Sequence, residues 1–196
     1  MNESFSDLRI QMPAWALDLT DANSSTYSTA ESRMQLAIAL ARNNIEHATG
    51  GPFGAAVFDM HTHQLLSIGI NLVVSSNCSV AHAEIMAITL AQQKLAQYDL
   101  ARGAERYELV SSCEPCAMCF GALPWSGIRH LVCGARDADA RAIGFDEGPK
   151  MDNWQSALAS RGISVETDVC RSGAVTVLQQ YAAQGGAIYN AGKGQA

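Results

Sequence analysis

His82 and Glu84 stand two residues apart in Ala81-His82-Ala83-Glu84, and Cys116 and Cys119 stand three apart in Ser112-Cys113-Glu114-Pro115-Cys116-Ala117-Met118-Cys119. Imidazole nitrogen and thiolate sulfur are the ligands zinc favours, and a catalytic zinc site takes three from protein while leaving a fourth position for water or substrate. His82, Cys116 and Cys119 make such a set. The cysteine spacing puts both thiols on one face of a helix that starts near Cys116, and Pro115 suits its first-turn region. A helix N-terminus lowers a thiol pKa, and a bound cation completes the deprotonation.

Glu84 is a poor further ligand, because residues two apart on a helix point different ways. Near a helix start its side chain can instead reach over a metal-bound water and move its proton. Hydrolytic deamination demands that task, with delivery to a ring nitrogen and to departing ammonia. The competing reading is a closed structural zinc knuckle with Cys113 as fourth ligand, which the Cys-x-x-Cys spacing alone fits. A structural site has no need of a carboxylate two residues past its histidine, nor of a proline before its first cysteine. Cys113 then reads as a buried thiol. His61 and His63 have no nearby partners to complete a ligand set and read as solvated turn residues.

The elements that must position these groups can be read from periodicity. Ser28-Thr29-Ala30-Glu31 fits a capping box, with Met34, Ala37, Ile38, Ala41 and Ile45 following at helical spacing to about His47, where Gly50-Gly51-Pro52 intervenes. Residues 53–58 and 65–71 read as an antiparallel strand pair, and 75–77 as a polar loop. A second helix carries His82 and Glu84 at its start. Residues 107–112 form a strand that delivers the cysteine motif to a third helix ending at Gly127. A strand at 128–134, a short helix before Ile143, the glycine-bounded loop 144–149, a helix at 154–160, a strand at 163–167 and a final helix through Val175, Leu178 and Tyr181 complete the chain. This alternation predicts a three-layer α/β/α sandwich around a mixed five-stranded sheet. Two helices would then point their N-termini at one ion.

With 196 residues, 48% of them hydrophobic and 16% charged, the chain suits a single folded domain over residues 29–196. Residues 1–28 read as an arm with apolar anchors at Phe5, Leu8, Ile10, Trp15 and Leu17, packed on a surface or left as a free tail. A net charge of −6 and a pI near 5.3 argue against a phosphate backbone as partner and for a small neutral substrate. No apolar run approaches the ~20 residues of a membrane span. Six cysteines with no leader pattern before them imply a reducing, cytoplasmic setting.

The His-x-Glu and Pro-Cys-x-x-Cys pairing is the motif of zinc deaminases, and the chain resembles the cytidine deaminase superfamily, within it the small bacterial guanine deaminases. Gly51-Pro52-Phe53-Gly54-Ala55, Asn71 before the histidine motif, Ser112 to Cys116, Trp125 and Gly144-Phe145-Asp146-Glu147 carry the likeness, over roughly residues 31 to 150. The resemblance implies one zinc ion per subunit, a homodimer, and a purine base as substrate. By it, Phe53 stacks on the base, Asn71 hydrogen-bonds its edge, and Glu147 is a second acid/base beside Glu84. It also puts Ala83, Glu114, Trp125, Asp146 and a C-terminal aromatic, Tyr189, among the substrate-site residues, although Trp125 lies at the far end of the cysteine helix, where a core or dimer role competes. Ala117 stands where many relatives have proline, and Glu147 where several have aspartate.

The expected reaction is zinc-dependent hydrolysis of guanine to xanthine and ammonia. Guanosine, cytosine or cytidine, and triazine amines are the alternative substrates, since the zinc chemistry is shared and pocket shape decides. A tRNA adenosine deaminase is disfavoured by the acidic balance. A zinc-stabilised module without turnover is the alternative outside enzymes.

Overall fold

The computed structural model describes residues 9–22, 27–102, 106–190 and 192. In chain order its elements are α1 (Ala14–Ala22), α2 (Ala30–Glu46), β1 (Gly54–Asp59), β2 (Leu65–Ile70), α3 (Val73–Ser76), α4 (Ala83–Leu95), β3 (Tyr107–Cys113), α5 (Ala117–Ser126), β4 (His130–Ala135), α6 (Asp137–Ala142), α7 (Trp154–Ala159), β5 (Ser164–Glu166) and α8 (Arg171–Ala183). The strands lie in the order β2-β1-β3-β4-β5. β1 runs antiparallel to β2 and β3, while β3–β4 and β4–β5 are parallel. The mixed five-stranded sheet expected from the sequence is therefore present.

Side chains alternate across a strand, and here both faces are covered. Ala56, Phe58, Val110 and Val132 face a core built with Met34 and Ala37 of α2 and Leu178 of α8. Ala55, Val57, Leu109 and Leu131 face a second core with Ala87 of α4, Leu123 of α5 and Leu158 of α7. Strands buried on both faces read as continuous apolar runs, as Leu131-Val132-Cys133 does, whereas β3 keeps the buried Glu108, paired with Arg33, beside Leu109-Val110.

Three local details differ from the sequence reading. The capping box sits one residue later, on Thr29 and Ser32: Ser32 N donates to Thr29 Oγ1 at 3.1 Å and Thr29 N to Ser32 Oγ at 3.2 Å. The helix starts at Ala30, so Ser28 lies outside it and Glu31 is too early to close the box. The stretch read as an arm contains α1, whose Ala16, with Met12 before it, joins the first core, while Trp15 stacks on His47 at 5.1 Å. Phe5 and Leu8 lie outside the described residues. The polar loop after β2 contains the single turn α3, closed by Asn77 in the left-handed region, φ 49°.

One close approach seats the start of α4. A Cβ at Gly69 in β2 would fall 2.0 Å from Ala83 O, so strand and helix touch backbone to backbone where only glycine fits. Among the described residues no helix is long and apolar enough to cross a membrane.

Candidate functional site

Strand direction gathers the site. Because β1 opposes both neighbours, its first residue lies beside the ends of β2 and β3: Gly54 pairs with Ile70, and Ala55 with Ser111. Phe53, Asn71 and Glu114 therefore share one edge of the sheet. α4 and α5 begin there too, with His82 and Cys116 as their N-cap residues. Pro115 lies before the cap rather than in the first turn, because Cys116 takes the cap itself, its Sγ accepting from Cys119 N at 3.5 Å.

His82 Nδ1 is 3.5 Å from Cys116 Sγ and 3.6 Å from Cys119 Sγ, and the three ligand atoms lie within 4.8 Å of one another. For a tetrahedral ion with ordinary Zn–N and Zn–S bonds, the N···S edge is about 3.6 Å, so the donor set fits. Cys113, although beside the motif, is turned to Arg136 O at 3.7 Å and stands outside the cluster. The Cys119 hydrogen bond chiefly, opposed by burial and helped by His82, brings the Cys116 thiol down to about 4. That same bond and burial push the Cys119 thiol up. Burial opposes protonation of His82, but Cys116, Glu84 and Glu147 outweigh it and raise its pKa.

The cluster opens into a cavity of about 270 Å³ lined by both Glu84 and Glu147. Burial, then the negative Cys116, push Glu84 up to about 7. Burial, then Cys116 and Glu84, push Glu147 up to about 8, with Lys150 opposing. Both carboxyls can therefore exchange a proton near neutral pH. The Glu147 loop is pinned to α5 by Ala117 N donating to Glu147 O at 2.9 Å, and to α6 by Arg141 donating to Gly148 O at 2.9 Å.

Phe53, Asn71, Glu114, Asp146 and Tyr189 also line this cavity. Asn71 Oδ1 accepts from Val73 N at 3.3 Å, which leaves its NH₂ group as the one to present. The Glu114 carboxylate is already engaged, accepting from Asp137 N at 3.1 Å and pairing with Lys150. Asp146 folds onto its own loop through Gly148 N at 2.9 Å. Two of the residues expected at the substrate are elsewhere. Ala83 is fully buried against β2 and does not line the cavity. Trp125 is 85% exposed near the end of α5, over a separate groove with Phe120, Pro124 and Met151. The helix itself separates it from the N-terminal cysteines.

Sequence reasoning missed Phe145, Tyr181 and Asn190 in the lining. Phe145 meets Phe53 edge to face at 4.9 Å and 69°. Asn190 ties the C-terminal segment to the Glu147 loop, donating to Gly144 O at 2.9 Å and accepting from Asp146 N at 2.8 Å. The only signal for Phe145 was its place between Gly144 and Asp146. Asn190 had none beyond its neighbour Tyr189.

Comparison with known proteins agrees with this geometry. The chain is 36% identical over 117 residues to the guanine deaminase of Bacillus subtilis, covering 60% of this chain and 71% of that protein. The solved guanine deaminase of Nitrosomonas europaea superposes with a TM-score of 0.84 at 47% identity, over 90% of this chain and 97% of that one. A variant of the protein NE0047 in complex with 8-azaguanine superposes at 0.85 with 46% identity, over 91% and 98%. Residues 27–135 match the model of the cytidine and deoxycytidylate deaminase zinc-binding region. With its cysteine and histidine donors in the matched segment and its sheet shared with these enzymes, the chain belongs to the cytidine and deoxycytidylate deaminase family.

Proposed function

We propose that the protein is a zinc-dependent hydrolase that converts guanine and water to xanthine and ammonia, with one zinc ion per subunit. The observation that carries this reading is two buried carboxyls, Glu84 and Glu147, lining one cavity with His82 and Cys116, whose ligand atoms cluster with that of Cys119. Similarity to guanine deaminases supports the choice of base. When bound, zinc supplies a Lewis acid that lowers the pKa of a coordinated water. His82, Cys116 and Cys119 would hold it.

In this reading Glu84 takes a proton from the attacking water and returns it to a ring nitrogen of the base. Guanine presents N1–H and the 2-amino group as adjacent donors to Glu147, and the water's second proton, carried by Glu147 from the new C2 hydroxyl to the amino group, lets that group leave as ammonia while the C2 carbonyl forms. Phe53, backed by Phe145, stacks on the ring. Asn71 donates through Nδ2 to an acceptor on the base edge. The net charge of −6 supports a small molecule rather than a nucleic acid as partner. A cytoplasmic homodimer belongs to the same proposal. The exposed Trp125 and Met151 give apolar surface that dimerisation would cover, and sedimentation of the purified protein tests it.

The deciding experiment follows ultraviolet absorbance and ammonia release with guanine, beside guanosine, cytosine and adenine, with Glu84→Ala as blank. Turnover of guanine that vanishes in the variant supports both the chemistry and the substrate. Turnover of another member of the panel keeps the chemistry and overturns the pocket assignment, while silence on all four favours a zinc module without turnover.

A further inference from the structure

Asn44 lies fully buried inside α2, an unfavourable place for a residue that competes for backbone hydrogen bonds. Its amide serves two other segments. Nδ2 donates to Gly51 O and to Asn71 O, each at 2.8 Å, and Oδ1 accepts from Thr49 Oγ1 at 2.6 Å. Gly51 opens the turn that carries Phe53, and Asn71 follows the end of β2. The two segments are packed to contact: a Cβ at Gly50 would fall 1.8 Å from Asn71 O, and one at Gly51 3.3 Å from Asn71 Oδ1. Asn71 N in turn donates to Phe53 O at 3.1 Å. Asn44 itself does not line the cavity.

We infer that Asn44 is a positioning residue for base binding, its forked amide fixing the Phe53 turn against Asn71 so that ring and side-chain amide grip the base from a set separation. The inference rests on the reading above, in which those two residues contact the substrate. Glu84 and the His82, Cys116 and Cys119 donors are held by α4 and α5, outside this fork. Loosening the fork should therefore weaken binding while sparing the chemical step, which raises KM with kcat little changed.

Asn44→Asp keeps the shape and the acceptor but removes both donors. Thr49→Val is the gentler change, removing only the hydroxyl that holds the amide, and it decides the matter if Asn44→Asp fails to fold. Asn43→Asp is the control, since its amide donates to Ala39 O within the same helix at 2.8 Å. The readouts are KM and kcat for guanine, the calorimetric Kd for 8-azaguanine, zinc content and the thermal midpoint. We expect KM and Kd to rise together by roughly tenfold in Asn44→Asp and about threefold in Thr49→Val, as for loss of one or two orienting hydrogen bonds. Zinc content and kcat should stay near wild type, and Asn43→Asp should leave KM unchanged. A lowered midpoint with unchanged KM and Kd would make Asn44 purely structural, and a fall in kcat equal to that in kcat/KM would also overturn the inference. A wild-type protein that neither turns over guanine nor binds 8-azaguanine overturns the functional reading itself, before any variant is measured.

Discussion

Glu84 and Glu147 are raised by the same causes, burial and the negative Cys116, yet they reach the cavity from different elements. Glu84 is two residues past His82, in the first turn of a helix whose start is fixed by β2. Glu147 is on the loop between α6 and α7, tied to the start of α5. Glu84→Gln keeps the shape but cannot take a proton, so kcat should fall by about 10²- to 10⁴-fold. Zinc content and the Kd for 8-azaguanine should stay within a few-fold of wild type, as metal analysis and calorimetry would show. Loss of zinc in that variant would instead mean that Glu84 serves the metal site. Phe145→Ala removes the edge that supports the Phe53 ring, and a rise in KM with unchanged zinc content is expected from steady-state kinetics. The grouping of His82, Cys116 and Cys119, with Glu84 beside them, was legible in the sequence because metal-site chemistry uses particular residue types at short spacing. Phe145 and Asn44 were not, because their roles arise from contacts with segments distant along the chain, and phenylalanine and asparagine are both common without any such role.

At the level of elements, the donor set depends on how two helices are seated. α5 begins at Cys116, which caps it, one residue past the Pro115 that the sequence reading puts in the first turn. α4 begins where it does because Gly69 lets β2 touch Ala83, and no periodicity reveals that contact. Gly69→Ala drives a methyl group into Ala83 O, with Ala87 N also 2.5 Å from the added carbon. The helix must shift, at a cost of about 1–3 kcal/mol, and His82 shifts with it. Denaturant midpoints should fall and competition with a chelating dye should show weaker zinc retention; full retention would mean that the motif segment moves independently of the helix. Chelation of the wild-type protein should lower its thermal midpoint and abolish turnover, with both restored by added zinc. Of the two helices missed by the sequence reading, α1 is the longer, at nine residues. A helix of that length is marginal by itself and forms through its packing on the core, so its own residues give a weak signal.

For the molecule as a whole, the sequence predicted five strands and two covering layers because each strand is bounded by turn residues and each helix carries an apolar face. It did not give the order β2-β1-β3-β4-β5, since strands buried on both faces carry no mark of which neighbour they pair with. The second half of that sheet is tied by charges at the surface. Arg136 forks onto Asp168 at 2.7 and 2.8 Å, and Arg171 onto Asp139 at 2.8 and 2.7 Å, joining the start of α6 to the approach to α8. Arg171 chiefly holds the Asp139 carboxyl below the ordinary 3.8, and Arg136 chiefly does so for Asp168. A carboxyl depressed on folding contributes stability above its unfolded pKa and loses it as pH falls through the folded value. The contribution is therefore intact at neutral pH and disappears below about pH 4. Because Arg136, Asp168 and Arg171 are open to solvent and only Asp139 is partly buried, it is modest and weakened by salt. Thermal midpoints of the wild type and of Arg136→Gln/Arg171→Gln should differ at pH 7, converge as the pH drops past 3.8, and lie closer together in molar salt. A gap that persisted undiminished in strong acid would show that the arginines act through packing of their stems rather than through charge.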